Sequence, residues 1–194
     1  MSTTIIENAK SYIEEIFRNN ADGHDAEHSK RVYSNAMKLA DRYPECDSEV
    51  VALASLLHDV DDHKLFDTKD NANARAFLTS NNIEEKEIEW ICAIIKGVSF
   101  SKNRGKKPES LEGQIVQDAD RLDAIGAVGI ARTFAYGGKV GRSLDDSVQH
   151  FYDKLLLLKD EMNTEEAKKM ALQRHEYIEG FIEEFKKEIA ALND

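Results

Sequence analysis

The chain has 194 residues, 41% hydrophobic and 32% charged, with ten glycines, two prolines and a formal net charge of −11. That length fits one domain with a sizeable core, and the negative charge argues against binding to a DNA or RNA backbone. No apolar run approaches the roughly 18 residues of a membrane span. The N-terminus shows no basic region followed by a long apolar core, so no secretory signal is visible and a cytoplasmic location is expected. Cys46 and Cys92 are the only cysteines and lack CxxC spacing; they read as core or surface thiols, not as ligands or a disulfide.

In chain order, almost every segment reads as helix, with no repeat, linker or convincing alternating strand. Residues 4–19 place Ile5, Ile6, Ala9, Tyr12, Ile13, Ile16 and Phe17 on an amphipathic face. Residues 25–42 follow, with Tyr43-Pro44 as the stop. Asp47 or Ser48 can cap the next helix, whose Val50 to Leu57 run is apolar nearly all round and therefore belongs in the centre of the domain. Short and longer helices are expected from Asn71 to Thr79 and from Glu84 to Lys96, the latter ending at Gly97. The loop 99–110 holds the most basic stretch, Lys102 to Lys107; as a charge run it reads as a solvated loop, with a lid over a substrate's phosphates as the sharper alternative. Helices then span 111–124 and 127–136, with Gly137-Gly138 breaking the second, and 145–159 and 164–192 finish the chain. The expectation is an all-α, single-domain bundle of about seven to nine helices over 1–194.

Three stretches carry chemistry. The central apolar helix runs into His58-Asp59-Val60-Asp61-Asp62-His63-Lys64. A buried, unpaired carboxylate costs several kcal/mol, about what a metal or strong partner must offset. Upstream lies Gly23-His24-Asp25-Ala26-Glu27-His28-Ser29-Lys30-Arg31-Val32, where His24 and His28 are four apart and share a helix face; Asp25 reads as the helix cap. Downstream lies Gln117-Asp118-Ala119-Asp120-Arg121-Leu122-Asp123.

One His, then His-Asp, then Asp, each on its own helical segment, resembles the pattern of the HD-domain metal-dependent phosphohydrolase superfamily, and more closely its YedJ/YpgQ-like branch. The resemblance runs from about Gly23 to the last helix. It implies metal ligands at His28, His58, Asp59 and Asp120, and an HD-type helical bundle. It further implies an acidic residue directing a water's proton, at Asp62 with Asp61 as the fallback, and a lysine on phosphate at Lys64. Arg31, three residues past His28, returns toward the same face and can meet an anion. His24 would stand behind the ligands or face substrate, with helix-entry packing as the alternative. Tyr136, in a Tyr-Gly-Gly that the family carries, would face substrate, with core packing or the helix break as the blander alternative. Arg121 would either contact phosphate or anchor Asp123.

Two His and two Asp form a mixed N/O set suited to a divalent ion with open positions, and manganese or magnesium is the first choice. Iron, nickel or zinc could fill it on purification, since affinity follows the Irving–Williams order. The implied activity is hydrolysis of a nucleotide, with a (deoxy)nucleoside triphosphate pyrophosphohydrolase as the specific form. A non-catalytic nucleotide-sensing module is the alternative. A di-iron oxygenase would need additional histidines, and the Gly-Tyr-Pro signature of the cyclic-dinucleotide phosphodiesterases is absent. His63, His150 and His175 read as surface or packing residues. The long last helix leaves a homodimer open.

Overall fold

Eight consecutive residues, Val50 to Leu57, are all buried in one ten-residue helix, α3 (Ser48–Leu57). The computed structural model describes residues 3–18, 25–63, 65–99, 103 and 105–191. A helix with no solvent face must be enclosed by its neighbours. Here α1 (Thr3–Ile16), α2 (Ala26–Ala40) and α5 (Glu85–Val98) pack against it, and α4 (Ala72–Ser80) packs on α5. α1 contributes Ile5, Ile6, Ala9 and Ile13, α2 Val32, Ala36 and Leu39, and α5 Ile88, Ile91 and Ile95. Each such Leu or Ile adds about 1.5–3 kcal/mol over its exposed state.

Local chemistry sets the ends of α3. Asp47 caps it, accepting from the N–H groups of Glu49 and Val50 at 3.0 and 3.1 Å. The Asp47 N–H donates in turn to the carboxylate of Glu112 at 3.0 Å, tying the start of α3 to the first turn of α6 (Leu111–Asp123). α2 closes at Ala40, ahead of Tyr43-Pro44, because the N–H groups of Asp41, Arg42 and Tyr43 already satisfy its last carbonyls. α5 runs one residue past Gly97 to Val98, so that glycine does not end the helix; its carbonyl accepts from the Gln117 side chain at 2.8 Å.

Backbone packing groups the chain into two compact units, 1–120 and 121–194. Beyond the end of α6, the second unit holds α7 (Gly126–Lys139), α8 (Leu144–Asp153), a 3-10 helix over Leu155–Glu161 and α9 (Glu165–Ala190). Phe134, Phe151, Phe181 and Phe185 form its aromatic core, with ring centroids 5.8–6.3 Å apart. At Gly129 a Cβ would fall 2.2 Å from the Ala124 carbonyl oxygen, so only glycine fits.

Two expected boundaries are corrected here. Gly137-Gly138 does not break α7. A Cβ at Gly137 would meet the Ser147 hydroxyl at 2.6 Å, so that glycine permits close packing of α8. The helix runs on to Lys139 and is closed by Gly141, φ +70°, where Arg142 N–H bonds to the Gly137 carbonyl and Gly141 N–H to that of Gly138, a Schellman closure. The expected helix 145–159 is interrupted at Lys154 (φ −140°, ψ −59°), beyond which the chain tightens into the 3-10 segment that buries Leu155 and Leu158. Among the described residues there are nine α-helices, no strand and no helix long and apolar enough to cross a membrane.

Candidate metal centre

Three elements of the first unit converge on one point. Asp25 caps α2, its carboxylate accepting the His28 N–H at 2.7 Å, so the cap fixes the turn from which the buried His28 side chain projects. His58 is the C-cap of α3. Its Nδ1 lies 2.9 Å from the Ser55 carbonyl, one turn back. With that nitrogen donating to the carbonyl, the lone pair of the ring sits at Nε2. Asp59 follows in the turn, and Asp120 comes from near the end of α6.

The ligand atoms sit on a tight frame. His58 Nε2 is 3.2 Å from His28 Nε2. Asp59 Oδ2 lies 3.5 Å from His28 Nε2 and 3.4 Å from His58 Nε2. Asp120 Oδ1 lies 3.4 and 3.8 Å from the same two nitrogens. Around an ion with bonds of about 2.1 Å, neighbouring ligands stand roughly 3.0 Å apart in an octahedron and roughly 3.4 Å apart in a tetrahedron. The edges among His28, His58 and Asp120, 3.2–3.8 Å, are near those of such a sphere, and these three form a set that could hold a metal ion. Asp59 stands within 3.5 Å of both imidazoles but is not part of that set.

Electrostatics give the same account. Burial disfavours the charged form of His58, but the carboxylates of Asp59 and Asp120 outweigh it and push the imidazole up to about 9. Burial also favours a neutral Asp120, yet its hydrogen bond with His28 and the charge on His58 hold its carboxyl below the usual carboxylate range. Two carboxylates and two imidazoles gathered this closely favour a cation among them, whether a proton on His58 or a metal ion.

The other expected site residues are distributed unevenly. Asp62 lies one turn beyond Asp59, its N–H donating to the Asp59 carbonyl at 3.0 Å, and its side chain is 16% exposed with His63 Nδ1 at 3.8 Å. Asp61, the fallback, is otherwise occupied: its carboxylate accepts from Asn73 and Ala74 N–H, both at 3.0 Å, at the start of α4. Arg31 is half-buried on α2, one turn after His28. His24 and Lys64 lie outside the described residues, as do Lys102 and Arg104 of the basic loop. Tyr136, in the second unit, is exposed, with the Arg142 guanidinium 5.7 Å from its ring centroid.

Arg121 is turned into the second unit. It is 2% exposed, donates to the Glu161 carbonyl and pairs with the Glu161 carboxylate at 3.5 Å. Arg132 pairs with the Asp123 carboxylate at 2.7 Å. Nothing in the local sequence marks Glu161 as the partner, because it lies forty residues away on the 3-10 helix. Ser55 was also missed, although its three-residue spacing from His58 is visible in the apolar run. Of the remaining histidines, His63 is exposed, His150 half-buried and His175 buried beside Glu179 at 3.3 Å. Cys46 and Cys92 are both free thiols.

Comparison with known proteins agrees with this geometry. The HD domain family model matches residues 25–125. YpgQ of Bacillus subtilis (strain 168) is 37% identical over 196 residues, spanning 96% of this chain and 95% of the relative. The crystal structure of Bacillus subtilis YpgQ in complex with ADP superposes with a TM-score of 0.82 at 34% identity, covering 95% of this chain and 97% of that one. An HD-superfamily hydrolase from Bacillus thuringiensis gives a TM-score of 0.80 at 40% identity, covering 98% of this chain and 100% of that one. The chain belongs to the HD-domain family, among the HD-superfamily hydrolases of the YpgQ-like branch.

Proposed function

We propose that the chain is a divalent-metal-dependent phosphohydrolase acting on nucleotides, with (deoxy)nucleoside triphosphate pyrophosphohydrolysis as its specific form. The observation that carries this is the cluster of His28, His58 and Asp120, with ligand atoms 3.2–3.8 Å apart, and the Asp59 carboxylate 3.4–3.5 Å from both imidazoles. The nucleotide is supported by the ADP complex of the relative YpgQ.

In this reading those four side chains hold the ion, manganese or magnesium by the hardness of the set. When bound, it lowers the pKa of a water and neutralises charge on phosphoryl oxygens. The Asp62 carboxylate takes or directs the water's proton, and Lys64 and Arg31 balance charge along the phosphates. His24 and Tyr136 face the substrate. Arg121 is left out, since its guanidinium is buried against Glu161. Cleavage of the α–β bond would yield a nucleoside monophosphate and pyrophosphate. We also propose that 1–194 acts as one domain: the division between the two compact units falls inside α6, with no linker there, and the HD match crosses it.

The test is metal-reconstituted protein with a panel of nucleotides, following phosphate, pyrophosphate and oxygen together. Metal-dependent product that disappears in His58→Ala and Asp120→Ala supports the enzyme. Nucleotide binding without turnover would favour the sensing module instead.

A further inference from the structure

The turn that carries Asp59 and Asp62 takes its outside support from α4. α3 stops at Leu57, and within the turn Val60 N–H reaches the Leu57 carbonyl at 3.3 Å and Asp62 N–H the Asp59 carbonyl at 3.0 Å. Three stronger constraints come from twelve and thirteen residues downstream. The two oxygens of Asp61 accept from Asn73 N–H and Ala74 N–H, each at 3.0 Å. The Asn73 side-chain amide donates back to the Val60 carbonyl at 2.7 Å.

This exchange is possible because α4 lacks a cap of its own. Asn71, at the cap position, sits at φ +55° with no capping bond, and its side chain donates to the Cys92 carbonyl on α5 at 3.0 Å. The free N–H groups of the first turn are thus available to a distant carboxylate, which also meets the positive end of the helix dipole. α4 is itself braced: Arg75 forms a two-pronged pair with Glu89 of α5 at 2.6 and 3.0 Å, and the Tyr12 hydroxyl of α1 reaches the Asn73 carbonyl at 3.4 Å.

We infer that Asp61 and Asn73 are positioning residues, a two-way latch that fixes Val60-Asp61 to α4. It thereby sets the direction of Asp59 on one side and of Asp62 on the other. The functional weight of this inference rests on the metal reading above. A carboxylate displaced by about 1 Å can lose about a hundredfold in rate, so a latch adjoining both acidic groups governs metal binding and turnover together.

The test compares the full-length parent with Asp61→Ala, Asp61→Asn and Asn73→Ala, well below their melting temperatures. Mn2+ binding is measured by calorimetry, nucleotide hydrolysis at saturating Mn2+, and the imidazole NMR signals of His28 and His58 in metal-free protein. The latch predicts a Mn2+ dissociation constant raised about tenfold or more, a fall carried by kcat more than by KM, and displaced ring signals. Asp61→Asn, which keeps one acceptor oxygen, falls between the parent and Asp61→Ala. Should Asp61→Ala not fold, Asn73→Ala decides, because it leaves both carboxylate bonds in place. A lower melting temperature with an unchanged Mn2+ constant and unmoved ring signals overturns the latch and leaves Asp61 as a helix cap only. A parent that binds no Mn2+ or cleaves no nucleotide overturns the metal reading separately, and the ring signals alone then decide the latch.

Discussion

His28 and His58 are thirty residues apart in the chain, yet their Nε2 atoms stand 3.2 Å from each other, with their rings edge to face. Two ring nitrogens that close, beside the carboxylates of Asp59 and Asp120, make a candidate cation site. Removing any one of the four should leave the helices in place and empty the site. His58→Ala and Asp120→Ala are expected to weaken Mn2+ binding by more than about a hundredfold, beyond the 10–100-fold that loss of an outer-shell partner brings. Calorimetry on metal-stripped protein checks this, with circular dichroism to confirm the fold. Unchanged affinity in either variant contradicts the assignment.

Metal loading should depend on pH in a definite direction. The imidazole of His58, raised to about 9 in the metal-free fold, sits above its usual value of about 6.5. Its proton therefore stabilises the metal-free fold fully below about pH 6.5, and that contribution fades as the pH climbs through about 9. A divalent ion must displace the proton. Apparent Mn2+ affinity should accordingly rise between pH 6.5 and 8, with proton release visible as a dependence of the binding heat on buffer ionisation enthalpy. Affinity that is flat across this range, with no proton released, contradicts it.

Asp62 should matter for turnover and not for metal. Asp62→Asn preserves size and removes the basic oxygen, so kcat should fall by about 10²–10⁴-fold, the usual worth of a positioned proton acceptor. Mn2+ affinity should remain within about twofold of the parent. Steady-state kinetics at saturating metal provide the check, and an unaltered kcat removes Asp62 from the scheme.

Stability should depend on the enclosed helix and on one left-handed glycine. Leu53 is fully buried in α3, so Leu53→Ala should cost about 2–5 kcal/mol in denaturant unfolding. Gly141 closes α7 at φ +70° with open space around it. Gly141→Ala should therefore cost about 1 kcal/mol from backbone strain alone. A neutral Gly141→Ala would show that this turn can relax.

The sequence exposes what is periodic and what is contiguous. The apolar run Val50 to Leu57 marked the central helix, and Asp25 and Asp47 marked helix starts by cap chemistry. The residues brought together in space, His28, His58, Asp59 and Asp120, are those named by the motif pattern. What it hides are pairings set by the fold. Asp61 reads as a second acid beside Asp62 until α4 is in place to receive it. Arg121 reads as a phosphate contact or as the anchor of Asp123, and its pairing with Glu161 is invisible at that distance along the chain. Gly137-Gly138 reads as a helix break until Ser147 appears against Gly137, and the closure falls to Gly141 through its positive φ.

The most direct measurement is a crystal grown with Mn2+ and examined by anomalous scattering at the manganese edge. A single strong peak is expected, about 2.0–2.2 Å from His28 Nε2, His58 Nε2, Asp59 Oδ2 and Asp120 Oδ1. A map with no peak there, or with manganese bound elsewhere on the protein, would contradict the metal centre and the hydrolysis built on it.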